Sequence, residues 1–199
     1  ARELQPHLLI NNRNGLPEDF DTPEQRVGKY QDRRPWESCI TIGKQWAWKP
    51  DDTMKSLEEC LRTLVLCAGG DGNLLFNVGP MPDGRIDPRQ VGRLKEMGAW
   101  LVKNGGSVYG TRGGPWHPTR TAASTRRGST VYLHIFRWEK ETLELPALPR
   151  AVKWAALLGG GRATVRQQNG KLTVAVDPAA RDAIDTIVKI ELAGSAMDI

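Results

Sequence analysis

Apolar and polar positions alternate with two different rhythms along this chain, and the change falls near residue 120. Before it, short continuous apolar runs are interleaved with helical periodicity. His7–Asn11 (HLLIN), Glu37–Gly43 (ESCITIG) and Asn73–Val78 (NLLFNV) read as buried strands, the pattern of a parallel sheet covered on both faces. Met54–Ala68 carries Leu57, Leu61, Leu64 and Val65 at helical spacing, which predicts a helix. Asp51, Asp52 and Thr53 are its N-cap candidates, and Gly69-Gly70 ends it. Asp87-Pro88 opens a second helix running to about Lys103, with Val91, Leu94, Met97 and Leu101 toward a core, and Asn104-Gly105-Gly106 closing it. Strand, helix, strand, helix is the order of right-handed parallel β/α units.

After Gly128 only strands are predicted: TVYLHIF, TLELPAL, AVKWAALL, ATVRQQ, KLTVAV and TIVKIEL. Several alternate with period two, and Asn169-Gly170 is a two-residue hairpin turn. The fold class is therefore α/β plus all-β. Residues 1–120 form an incomplete (β/α) barrel portion and residues 121–199 an antiparallel β-sandwich. A complete eight-unit barrel takes about 250 residues, so the first part does not close one alone.

Composition narrows the function classes. The 199 residues are 39% hydrophobic, with 28 Lys and Arg against 23 Asp and Glu. The net charge of +5 is scattered, which argues against nucleic acid as a partner. The most basic stretch, Arg120–Arg127, reads as a solvated connection between the two parts. No apolar stretch approaches about 18 residues, which excludes a membrane-spanning helix. Cys39, Cys60 and Cys67 include no CxxC pair and lie far in sequence from His7, His117 and His134, a poor zinc pattern. Cys60 and Cys67 share a helix face about 10 Å apart along the axis, too far to bond to each other. Gly159–Arg162 lacks the Gly-Lys-Ser/Thr ending of a phosphate loop. No nucleotide or metal cofactor is suggested.

Candidate chemistry sits beside the apolar runs. Asn77 ends a strand that would not need an amide if it were only core, and in a β/α barrel that end faces substrate. Asn73 and Asn77 are read as ties to loop backbone, Asp71 and Asp83 as turn residues, and Trp138 and Trp154 as core of the sandwich. Arg13 and Glu37 flank the other two runs.

The order LLINNRNG, PWESCITIG…WAW, GNLLFNVGPMPDGRI and GGSVYGTRGGPW resembles the C-terminal part of family 29 glycoside hydrolases, the α-L-fucosidases, over residues 4–116. The resemblance implies a retaining mechanism on an α-L-fucosyl linkage, with two carboxyls about 5–5.5 Å apart and no cofactor. The family's nucleophile lies in a Trp-x-Asp-Gly type motif before the strand matching Leu8–Asn12, and no such motif precedes Leu8. The expected partners are a fucosylated glycan and a missing N-terminal barrel half carrying the nucleophile. The chain alone is expected to be inactive. A homo-oligomer is compatible with the sequence, as is a secreted, periplasmic or lysosomal-type compartment.

Residue by residue, the resemblance implies that Glu37 in Pro35-Trp36-Glu37 is the general acid/base, its carboxyl walled by Trp36, Trp46 and Trp48. The alternative is an ion pair with Arg13, Arg33 or Arg34. Arg13 matches the arginine of an Asn-Asp-Arg-Trp type motif, implying a contact to the nucleophile or a sugar hydroxyl. The alternative is a surface arginine. Trp46 is the candidate wall against the deoxysugar, with core packing as its alternative. Asn12 and Asn14 depart from the aspartate and tryptophan usual beside that arginine. They lend some support to the other reading, a non-catalytic fucose-binding, lectin-like protein on the same fold.

Overall fold

The computed structural model describes every residue of the chain except Asn14, Leu16 and Pro17. The Asn14 departure therefore lies outside the described residues.

Two strands, β1 (Glu37–Thr41) and β2 (Asn73–Asn77), pair in parallel, Glu37 opposite Asn73 and Thr41 opposite Asn77. Helix α1 (Leu57–Gly69) connects them and α2 (Pro88–Asn104) follows. Two further segments extend this layer through isolated parallel bridges: Asn11 with Phe20, Asp21 with Trp36, and Glu24 with Cys39. Four neighbouring extended segments thus run the same way, as in a portion of a β/α barrel. Phe76 packs with Ile42, Leu61 and Met97 between sheet and helices. Side chains alternate across a strand, so Leu74 and Phe76 face the helices, and Glu37, Cys39, Asn73, Leu75 and Asn77 face inward.

No helix covers the connection between Gln25 and Trp36. The chain lies on the outer face of β1 instead, where the Ser38 hydroxyl accepts from Gly28 N–H and donates to the Arg26 carbonyl. Trp36 is only 1% exposed and donates its indole N–H to the Gly70 carbonyl. A Cβ at Gly72 would come within 2.1 Å of its ring, so residue 72 must be glycine. Trp36 is thus a packing residue under the sheet, not a wall of the site.

Ser56, rather than Asp51, Asp52 or Thr53, caps α1. Its hydroxyl accepts from Glu59 N–H while the Glu59 carboxylate accepts from Ser56 N–H, a reciprocal box. Asp87 caps α2, as the sequence predicts. On α2, Met97 is buried but Leu94 is exposed, while Gln90 takes a core place by accepting from Gly79 N–H.

The sandwich contains a five-stranded sheet, β3 (Arg112–Gly113), β4 (Ala122–Arg127), β5 (Thr130–Ile135), β10 (Thr186–Leu192) and β7 (Val152–Leu157), in that order. The second sheet is β6 (Thr142–Pro146), β9 (Lys171–Ala175), β8 (Thr164–Gln168). All pairings are antiparallel. Asn169 and Gly170, both at positive φ, make the β8–β9 turn. Val131, Leu133, Leu172, Val174, Val188 and Ile190 fill the core between the sheets.

Residues 120–127 are a finding against expectation. They include strand β4, whose Ser124, Thr125 and Arg126 are buried with hydrogen bonds to backbone groups. Ser124 bonds Trp116 N–H and carbonyl, Thr125 the Ser107 carbonyl, and Arg126 the carbonyls of Ala196 and Ile199. The five-stranded sheet also begins at Arg112, before the boundary at residue 120. Trp138 packs against the sandwich core, but Trp154 stands 46% exposed on β7. The outer face of the sheet meets α1 through Ala123, Phe136 and Val65.

Candidate functional site

Parallel strands put all their C-terminal ends on one side, and there the loops gather. Asn77, at the end of β2, donates its amide to the Trp46 carbonyl. This ties the loop after β1 across to β2, as the sequence suggested for this residue. Asp52 accepts from Lys44 and Gln45 N–H, and Lys55 donates to the carbonyls of Thr41 and Gly43. The loop is thereby fixed with Trp46 43% exposed at its tip. Trp48 turns the other way and donates its indole N–H to Asp87.

One strand further along, Asn12, Arg13, Thr22 and Glu24 form a connected polar cluster. Arg13 reaches Glu24 at 2.8 Å and donates from Nε to the Thr22 hydroxyl. Thr22 donates to the Asn12 amide oxygen at 2.7 Å. Thr22 and Glu24 lie two residues apart in an extended segment and so share a face. Glu24 stands opposite Cys39, and the chain leaves the layer immediately afterwards at Gln25, which has φ 53°. Gln25 crosses back with its amide oxygen toward Thr41 N–H. Arg13, Glu24 and Trp46 therefore occupy the C-terminal side of the layer.

Glu37 does not. It is the first residue of β1, about 13 Å before the strand's C-terminal end at the rise of an extended chain. It lines a cavity of about 700 Å³ on the N-terminal side with Asp32, Arg34, Asp71, Asn73 and Arg112. Asn73 shares that end and ties no loop at the mouth. Glu37, for which the resemblance implied the acid/base role, thus lies where its strand begins: a carboxylate preceding an apolar run in a parallel layer lies at the bottom, not the top. The alternative reading of Glu37, an ion pair with Arg13, Arg33 or Arg34, is not seen among the described residues: Arg13 holds Glu24, and Arg34 holds Glu18 and Asp21.

The sequence reading missed Glu24. The signal was available in Asp21–Glu24, but the run between Pro17 and Arg34 is mostly polar and lacks the apolar rhythm that marks a strand. Beside Glu24, burial leads the causes that push the Cys39 thiol up, opposed by Arg13 and assisted by Glu24 and Glu37.

The Alpha-L-fucosidase family model matches residues 1–106. An alpha-L-fucosidase of Branchiostoma floridae is 30% identical over 152 residues, covering 65% of this chain and 33% of that protein. Human plasma alpha-L-fucosidase is 31% identical over 141 residues, covering 64% and 30%. Among solved structures, alpha-L-fucosidase isoenzyme 1 from Paenibacillus thiaminolyticus superposes with a TM-score of 0.83 at 32% identity, covering 96% of this chain and 51% of that one. The Thermotoga maritima alpha-fucosidase gives 0.76 at 26%, covering 95% and 46%. The chain thus spans about a third of these curated relatives and about half of these solved ones. With the parallel layer, the following sandwich and more than half of its length matched by one family model, the chain belongs to the α-L-fucosidase family.

Proposed function

We propose that this chain forms the C-terminal part of the catalytic barrel, with its sandwich, of a retaining glycosidase acting on α-L-fucosyl linkages of glycans. Glu24 is the acid/base carboxyl, Arg13 fixes its position and meets the sugar, and Trp46 walls the deoxysugar face. The observation carrying this reading is the Arg13–Glu24 pair on the C-terminal side of a parallel layer, the side where β/α barrels do their chemistry. Retaining hydrolysis needs a second carboxyl about 5–5.5 Å away as nucleophile. This reading supplies it from the N-terminal barrel half, and the 199 residues alone are predicted to hydrolyse no fucoside.

The test uses the barrel completed by an N-terminal half and assayed on aryl fucosides. Glu24→Ala should lower kcat/KM about 10²–10⁴-fold on poor leaving groups, with azide restoring turnover on activated ones. Glu37→Ala should leave no azide-rescuable defect. The opposite pattern would return the role to Glu37. A second reading, fucose binding without hydrolysis, is favoured by Asn12, which presents an amide to Thr22 beside Arg13 where a carboxylate is usual. Calorimetric binding of fucose by the completed protein, with no turnover, would establish it.

A further inference from the structure

Glu37 has no part in the chemistry proposed above, yet it is a half-buried carboxylate on the inward face of β1. Among the described residues it has no ion pair or side-chain hydrogen bond. The cations bordering its cavity are engaged: Arg34 holds Glu18 and Asp21, and Arg112 holds Asp71 at the same cavity. The acids there, Asp32, Glu37 and Asp71, outnumber these two arginines. Next to it, among the described residues, β2 pairs only with β1 and its other edge is open. Leu75 shows 49% of its surface on the inward side of that strand. Parallel sheets are found with both faces and both edges covered, and a carboxylate enclosed in such a layer requires a compensating charge.

We infer that Glu37 is an assembly residue: the cavity at the strand starts receives a Lys or Arg side chain from the N-terminal half of an α-L-fucosidase barrel, whose strand pairs with the open edge of β2. The occupant is argued from the solved relatives, about twice as long as this chain, and from the unpaired acid that awaits it. The inference rests on the reading of the chain as part of a fucosidase barrel, and it gives Glu37 a structural role in place of a catalytic one.

The test compares Glu37→Gln in two settings, the 199-residue chain and a single-chain chimera carrying the N-terminal half of the Paenibacillus enzyme before residue 1. In the chain alone the substitution should leave Tm unchanged, since nothing pairs with Glu37 there. In the chimera it should lower Tm by about 5 °C or more, and raising the salt concentration should shrink the difference. An equal shift in both settings, no shift in the chimera, or a chimera that melts in two separate transitions overturns the inference. Hydrolysis is scored separately. A chimera stabilised through Glu37 that cleaves no fucoside sustains the assembly role and removes the catalytic reading.

Discussion

Each tryptophan of the Pro35–Trp48 region has a different fate, set by where its polar edge finds a partner. Trp36 and Trp48 both donate their indole N–H to fixed acceptors, Gly70 and Asp87. Trp46 keeps its ring open at the layer's C-terminal side while its backbone carbonyl is held by Asn77. A ring so presented can lie against the apolar face of a sugar. In the completed enzyme, Trp46→Ala should raise KM about fivefold, since an aromatic contact is worth about 1 kcal/mol beyond its area. A steady-state measurement with kcat reduced and KM unchanged would contradict a binding role. Trp46 and Arg13, both singled out in the sequence as sugar contacts, lie on the C-terminal side of the layer. Glu37, singled out with them, begins its strand instead, and the residues flanking an apolar run do not reveal which way the strand points within the layer.

At the scale of elements, α1 is stabilised by a cap that its apolar periodicity did not locate. The Glu59 carboxyl is held below its ordinary value chiefly by the Ser56 N–H and next by the Ser56 hydroxyl, the signature of the reciprocal box. Ser56→Ala should cost about 1 kcal/mol, seen as a fall in Tm of about 2–4 °C for a chain of this size. Helices and the later strands were legible because apolar spacing dominates them: α2 starts at Asp87-Pro88, and the Asn169-Gly170 turn joins β8 to β9 as read. Strand β4 was not legible. Ser124, Thr125 and Arg126 are buried polar groups whose partners lie 8 to 73 residues away, and no local pattern announces such bonds. The segment carrying Thr22 and Glu24 was hidden for a related reason, its bonds running to Arg13 and Cys39 rather than to neighbours.

The molecule as a whole is joined where the α1–β2 turn meets β3. Asp71 accepts from Arg112 Nε at 2.8 Å and from Gly113 N–H at 2.6 Å. A Cβ on Gly113 would lie 2.4 Å from Asp71 N, so glycine is required for the approach. Burial pushes the Asp71 carboxyl up, but Arg112 and Gly113 outweigh it and hold the group below its ordinary value. A depressed carboxyl contributes stability that is present above the unfolded value of about 3.9 and lost as pH falls through the folded one. Asp71→Asn should therefore lower Tm at pH 7, and the gap from the parent chain should close as the pH is taken below about 4. A gap that stays constant across that range would show that the clasp acts through packing alone.

The three thiols are graded by depth. Burial pushes Cys60 up to about 11 and Cys67 up to about 12, and both are closed to solvent, whereas Cys39 retains partial access on the inward face. Only the thiolate attacks a disulfide reagent. The helix pair of cysteines will thus stay silent toward such a reagent while the native packing lasts and report each opening of the α1 layer by a sulfur that suddenly reacts, giving the protein an internal clock for its own unfolding.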